Sequence, residues 1–149
     1  MHYKVEVLID IPREKMIAIF DNPDNLNKWQ PTFLGIEHVE GIQRTKDAKS
    51  RLRYKQGKGE MEMIETILVY NMPDEFSCTY EANGVLNINK NYFFAEGDKT
   101  RWVTDTDFQF TSFPMKLMGM LLPFMFKSQT KQMMQNFKMF AETGKTAKA

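Results

Sequence analysis

Cysteine occurs once in this chain, at Cys78, so neither an internal disulfide nor a paired-cysteine zinc site can form. Histidine, the usual acid–base residue, occurs only at His2 and His38. Net charge is nearly missing: 20 basic residues stand against 19 acidic ones, leaving +1. The footprint of a nucleic-acid binder is therefore weak, and the basic run KSRLRYK reads as alternation along a strand. No apolar run approaches the roughly 20 residues of a membrane-spanning helix. The opening MHYKVEVLID alternates where a signal peptide needs a continuous apolar stretch. Internal repeats, low-complexity linkers and phosphate-cradling glycine loops are absent too, since GKGE is short and leads into a strand. No carboxylate–histidine group has metal-ligand spacing, so no metal and no cofactor are expected. These absences describe a soluble, cytoplasmic protein whose 149 residues form one domain, 1–149, with a core that needs no staples.

What is present is pattern. In HYKVEVLI, Tyr3, Val5, Val7 and Ile9 alternate with polar residues, as in a half-buried strand. Pro12 suits a helix start before Met16, Ile17 and Phe20; Asn22 and Pro23 repeat the device before Leu26 and Trp29, and Pro31 stops the helix. From Ile36 to Phe110 six strand-like segments follow, joined by turn signals that include Asn83-Gly84 and Gly97-Asp98. Short turns force antiparallel neighbours. A helical region from about Pro114 to Thr143 closes the chain, ended by Gly144 and a polar tail, 145–149, expected to be disordered. Its face of Phe126, Met133, Phe137 and Phe140 opposes Lys127, Lys131, Lys138 and Glu142, so it packs on a core. The order predicts an α+β fold with the sheet covered by the last helix.

The segment MKLMGMLLPFMF, Met115–Phe126, holds four methionines and five other apolar residues. Met115, Met118, Leu121, Leu122, Met125 and Phe126 share the core side of a helical wheel, whereas Met120 and Phe124 fall with the lysines. Pro123 cannot sit inside a helix without losing a hydrogen bond, so a kink or restart is expected there. The kink either turns Met120 and Phe124 into the core or leaves a segment that lines or lids a cavity.

Candidate chemistry is sparse. His2 and His38 read as surface residues, and Cys78, between Phe76 and Tyr80, as a small buried hydrophobe. On NINKNYF, Asn87, Asn89 and Asn91 occupy one strand face, read as solvated, with Leu86, Ile88, Tyr92 and Phe94 on the other. Lys90 shares the apolar face; it is either an inward base or anion anchor, or a lysine that snorkels out. Glu65 alternates with Met61, Met63 and Ile67, which directs it inward unless a bulge intervenes. Lys90 and Glu65 are the catalytic candidates. Tyr54, Tyr80, Tyr92, Phe94, Trp102, Phe108 and Phe110 lie on apolar strand faces, describing either a dry core or a pocket for a hydrophobic molecule.

IDIPREKMIAIFDNPDNLNKWQP, GIEHVEG, NYFFAEGDKTRW and MMQNFKMFAETG carry a resemblance to the START-related and polyketide-cyclase/dehydrase superfamily, over about Tyr3 to Gly144. The resemblance implies a helix-grip fold: a curved, seven-stranded antiparallel sheet around the long C-terminal helix, with two short helices between the first two strands and an apolar cavity inside. It implies Trp29 and Phe33 guarding one end of that cavity. Its sheet wall would comprise Tyr54, Tyr80, Tyr92, Phe94, Trp102 and Phe108; its helix wall, Met118, Leu121, Met125 and Met133. The expected function is binding or transport of a hydrophobic small molecule such as a lipid, isoprenoid or polyketide. The alternatives are a cyclase/dehydrase-type enzyme, using Lys90 or Glu65, and a protein-interaction or membrane-docking module using Met120 and Phe124.

Overall fold

The computed structural model describes residues 1–121 and 123–148, Leu121 through its backbone alone. Strand β1 (His2–Ile9) is followed by helix α1 (Arg13–Phe20), a 3-10 turn (Pro23–Asn25) and the single-turn helix α2 (Leu26–Trp29). The meander then runs through β2 (Phe33–Glu40), β3 (Lys49–Gln56), β4 (Gly59–Asn71), β5 (Glu75–Ala82), β6 (Val85–Glu96) and β7 (Lys99–Phe110). Helices α3 (Phe113–Leu121) and α4 (Pro123–Thr143) end the chain. Every pairing is antiparallel, in the order β1-β7-β6-β5-β4-β3-β2.

Local chemistry explains the joints. The Asn22 side chain accepts a hydrogen bond from the Asp24 N–H at 3.0 Å, with Pro23 behind it at the first position of the turn. Gly84, at φ +75°, completes the β5–β6 turn; a Cβ there would stand 2.4 Å from Ser112 Oγ, so glycine is needed for conformation and for space. Helix is described on both sides of Leu122, as α3 to Leu121 and α4 from Pro123; the kink expected at Pro123 falls on Leu122, which lies outside the described residues. Beyond Gly144 the chain folds back, the Ala147 N–H donating to the Lys28 carbonyl at 2.8 Å.

The packed core fills one end of the sheet's concave side. Helix α4 lies along β1, and α2 lies against α4. Phe137 is fully buried between Trp29 and Trp102, at centroid distances of 5.1 and 5.4 Å, and Phe20 meets all three rings edge-on or stacked. Val5, Val7, Ile9, Met16, Phe93 and Met134 complete this cluster. Burying each such side chain contributes about 1.5–3 kcal/mol, so this cluster holds α4 in the grip.

Strand β6 reverses the expected assignment of its faces. Asn87 and Asn91 are buried on the concave side, whereas Lys90 and Phe94 are exposed and Tyr92 is half-buried on the convex side. The reason is pairing: Asn91 lies opposite Thr104, and Phe93 opposite Trp102. The Asn91 Oδ1 accepts from Trp102 Nε1 at 2.9 Å and from the Thr104 hydroxyl at 2.8 Å. Its Nδ2 donates to the Asn89 Oδ1 at 2.6 Å and to the Phe76 carbonyl at 3.2 Å. Asn87 Nδ2 donates to the Thr106 hydroxyl and to the Asp107 carbonyl. Polar groups satisfied in this way can sit inside a core at little cost.

Candidate functional site

The concave faces of β3, β4 and β5 stand outside the packed cluster. Register places Tyr54 opposite Met61, Leu52 opposite Met63, and Glu65 opposite Tyr80, which in turn faces Asn87 on β6. Directly opposed residues share a sheet face. Tyr54, Met61, Met63, Glu65 and Tyr80 therefore project to the same side as the core, yet each keeps part of its surface accessible. Leu52, Ile67 and Cys78 form the buried floor between them. The β4–β5 register shift comes only after Ile67, so it leaves Glu65 facing inward.

The polar groups of this surface are few and close. Burial raises the Glu65 carboxyl above the usual carboxylate range, and the Tyr80 hydroxyl offsets part of that rise. Burial also pushes the Tyr80 hydroxyl and the Cys78 thiol well up, and a negative charge on Glu65 would push both further. Tyr54 shifts upward for the same two reasons, and its hydroxyl donates to Gln30 Oε1 at 2.7 Å. No cation offsets these shifts: Lys90 and Arg53 are exposed, and the Lys49 ammonium donates to Thr66 on the other side of the sheet. Glu65 thus holds its proton to higher pH than a solvated carboxyl does, and while protonated it can donate a hydrogen bond or a proton. Cys78, whose thiolate is disfavoured, is a poor nucleophile there.

The other residues expected at the site do not gather in one place. Trp29 and Trp102 are core: both are buried in the Phe137 cluster, so Trp29 is not a gate at the cavity end. Its Nε1 has no hydrogen-bond partner among the described residues. Phe33 stands edge-on to Tyr54, at 5.8 Å, beside the polar group. Phe108 stacks on Tyr3 and meets Phe126, forming an aromatic wall where α4 begins. Met133 is half-buried against the core. Lys90, Tyr92 and Phe94 are on the convex face and do not join the site. Met118 and Met125 are exposed, as are Met120 and Phe124, so the latter pair is not turned into the core. The side chain of Leu121, and Leu122 altogether, lie outside the described residues. Sequence reading missed Gln30 and Asn91, polar side chains whose partners lie 24 and 13 positions away.

Two open surface grooves lie elsewhere. One, about 440 Å³, runs between β1 and α4 and is edged by Lys4, Glu6, Lys127 and Lys131. The other, about 320 Å³, lies beside Asp21, Asn22 and Arg44. Their charged edges suit water better than an apolar guest, so the β3–β5 surface is the stronger candidate. Among the described residues no group of His, Cys, Asp and Glu side chains could hold a metal ion, and no helix is long and apolar enough to cross a membrane.

Comparison with known proteins agrees with this architecture. The chain is similar over 95% of its length to TTHA0849 from Thermus thermophilus, covering 97% of that chain at 14% identity and a TM-score of 0.74. Over 99% of both chains it resembles the Zhui aromatase/cyclase from Streptomyces sp. R1128, at 12% identity and a TM-score of 0.73. Norcoclaurine synthase from Thalictrum flavum aligns over 96% of this chain and 94% of its own, at 11% identity and a TM-score of 0.70. At such identities the likeness shows the helix-grip fold alone. No curated protein matches the chain in sequence. The family model described as polyketide cyclase / dehydrase and lipid transport matches residues 1–142, and with nearly the whole chain covered the protein belongs to that family.

Proposed function

We propose that the protein binds a hydrophobic small molecule over the concave face of β3–β5, with the ligand's polar end at Glu65, Tyr80 and Tyr54. One observation carries this reading: methionine, leucine and tyrosine side chains on these strands stay outside the packed cluster while a few hydrogen-bonding groups converge among them. Apolar lining with sparse, placed polar groups is the pattern of a ligand site. Family membership supports it.

The electrostatics narrow the ligand. Among the described residues no cation faces this polar end, so a ligand carboxylate would be buried without a counter-charge, and a free fatty acid is disfavoured. An alcohol, phenol, ketone or amine fits. Displacement of the neutral dye Nile red tests this: a long-chain alcohol should compete at least about tenfold better than the carboxylate of equal length, since burying an unpaired charge is costly. Equal competition would refute the assignment of the polar end. Failure of every apolar compound to bind would refute the reading itself.

Glu65 also favours a second reading, proton transfer to a bound polyketide-like substrate. A carboxyl held neutral by burial can act as a general acid, and solved relatives of this fold include an aromatase/cyclase and a synthase. Glu65→Gln separates the two. Under this second reading it abolishes turnover and leaves binding nearly intact.

A further inference from the structure

Helix α3 is built the wrong way round for a purely structural element. Its inward side is Met115 and Gly119: Gly119 is buried against Phe110, where a Cβ would stand 2.3 Å from the ring, and Met115 approaches Gly84. At 100° per residue the opposite side carries Phe113, Leu117 and Met120. Polar residues belong there in an amphipathic surface helix. Instead Phe113 is 77% exposed and Met120 73%, and at the start of α4 Phe124 is 68% exposed. Leu117, Met118 and Met125 extend this surface.

The charge along this stretch of chain is of one sign. From Phe108 to Ala141 the chain has no aspartate or glutamate and four lysines, whereas the whole chain is balanced at +1. Lys138 is engaged by the Leu8 carbonyl and Glu142. Lys116, Lys127 and Lys131 are exposed and flank the apolar surface, Phe124 sharing its side of α4 with the last two. Phenylalanine, leucine and methionine on one short element, with lysine the only charged residue type along this stretch of chain, match an interface that asks for apolar depth and anionic charge, with no fixed hydrogen-bond partners.

We propose that the outer face of α3 and the start of α4 form a membrane-docking element, laying Phe113, Leu117, Met120 and Phe124 into the headgroup boundary of an anionic lipid bilayer while Lys116, Lys127 and Lys131 pair with its surface charge. The binding is peripheral and reversible. It does not depend on what the concave face holds.

Flotation with phosphatidylcholine vesicles, with and without a quarter phosphatidylserine, tests the proposal on the full chain. The wild type should float with the anionic vesicles, less with neutral ones, and less again as salt screens the lysines. The pair Met120→Asp and Phe124→Asp should remove flotation, while Ile42→Asp, at another exposed apolar residue, should not. Each of Lys116→Glu and Lys127→Glu should weaken partition by about fivefold or more. A Phe124→Trp variant guards against misfolding of the aspartate pair: its emission should shift to the blue on adding anionic vesicles. The proposal is overturned if the wild type ignores anionic vesicles at low salt, if the aspartate pair floats undiminished, or if the Phe124→Trp emission stays unmoved. It is equally overturned if this surface is covered in solution by a second copy, seen as a dimer that Phe124→Asp dissociates.

Discussion

Replacing Asn91 by leucine keeps the size of the side chain and deletes the hub of the buried polar row on β6. Asn91 Oδ1 takes both Trp102 Nε1–H and the Thr104 hydroxyl, and each of those residues is only 1% exposed. Neither donor can turn to water. An orphaned buried donor costs about 1–3 kcal/mol, the indole at the upper end because its N–H is fixed and the hydroxyl at the lower because it rotates. Leucine regains part of this through apolar burial, so the net loss should be about 2–4 kcal/mol. For a domain of this size that lowers the melting temperature by about 5–15 °C. Urea denaturation of Asn91→Leu, Trp102→Phe and the double variant gives the assay: Asn91→Leu should cost clearly less where the indole N–H is already gone. A loss below about 1 kcal/mol, or strict additivity, would refute the claim that Asn91 serves Trp102.

Glu65→Gln should change the pH dependence of stability. With the folded carboxyl raised, the unfolded state ionises first as pH rises, so the wild type loses stability above the ordinary carboxylate value and levels off once the folded group ionises. The variant should lack that decline, and identical pH profiles by thermal melting would contradict inward burial of Glu65. Gly119→Leu should unseat α3 from Phe110 and expose the end of β7, read as faster hydrogen exchange across 108–121 with the β1–α4 core still protected. Lys90→Ala and Phe94→Ser, both on the convex face, should leave the affinity for an apolar ligand within about twofold of the wild type, since neither touches the site.

Much of the fold was legible because its signals are local. The alternation from Tyr3 to Ile9, the turns at Asn83-Gly84 and Gly97-Asp98 and the cap at Asn22 each rest on backbone chemistry within a few residues. The faces of β6 were not legible. Alternation separates Asn87, Asn89 and Asn91 from Leu86, Ile88 and Tyr92, but which set points inward depends on pairing with Trp102 and Thr104, more than ten positions on. A satisfied asparagine row and a solvated one look the same in sequence. Trp29 was misplaced for a related reason: an aromatic after a short helix can gate or pack, and only contact with Phe137 decides. Glu65 was legible as an inward carboxyl because β4 alternates without a break from Met61 to Ile67. Its setting with Tyr54 and Tyr80 needed the register of three strands.

A guest received on the β3–β5 side of the grip, with the β1–α4 side staying closed, is the behaviour on which the proposed function depends. Methionine methyl NMR with 13C labelling reads both sides at once, because Met61 and Met63 line the first and Met16 and Met134 are buried in the second. Titration with a neutral long-chain alcohol should move the Met61 and Met63 methyls to saturation at one ligand per chain and leave Met16 and Met134 in place. Movement confined to Met118, Met120 and Met125 on the exposed surface of α3 and α4, or no saturable movement at all, would contradict it.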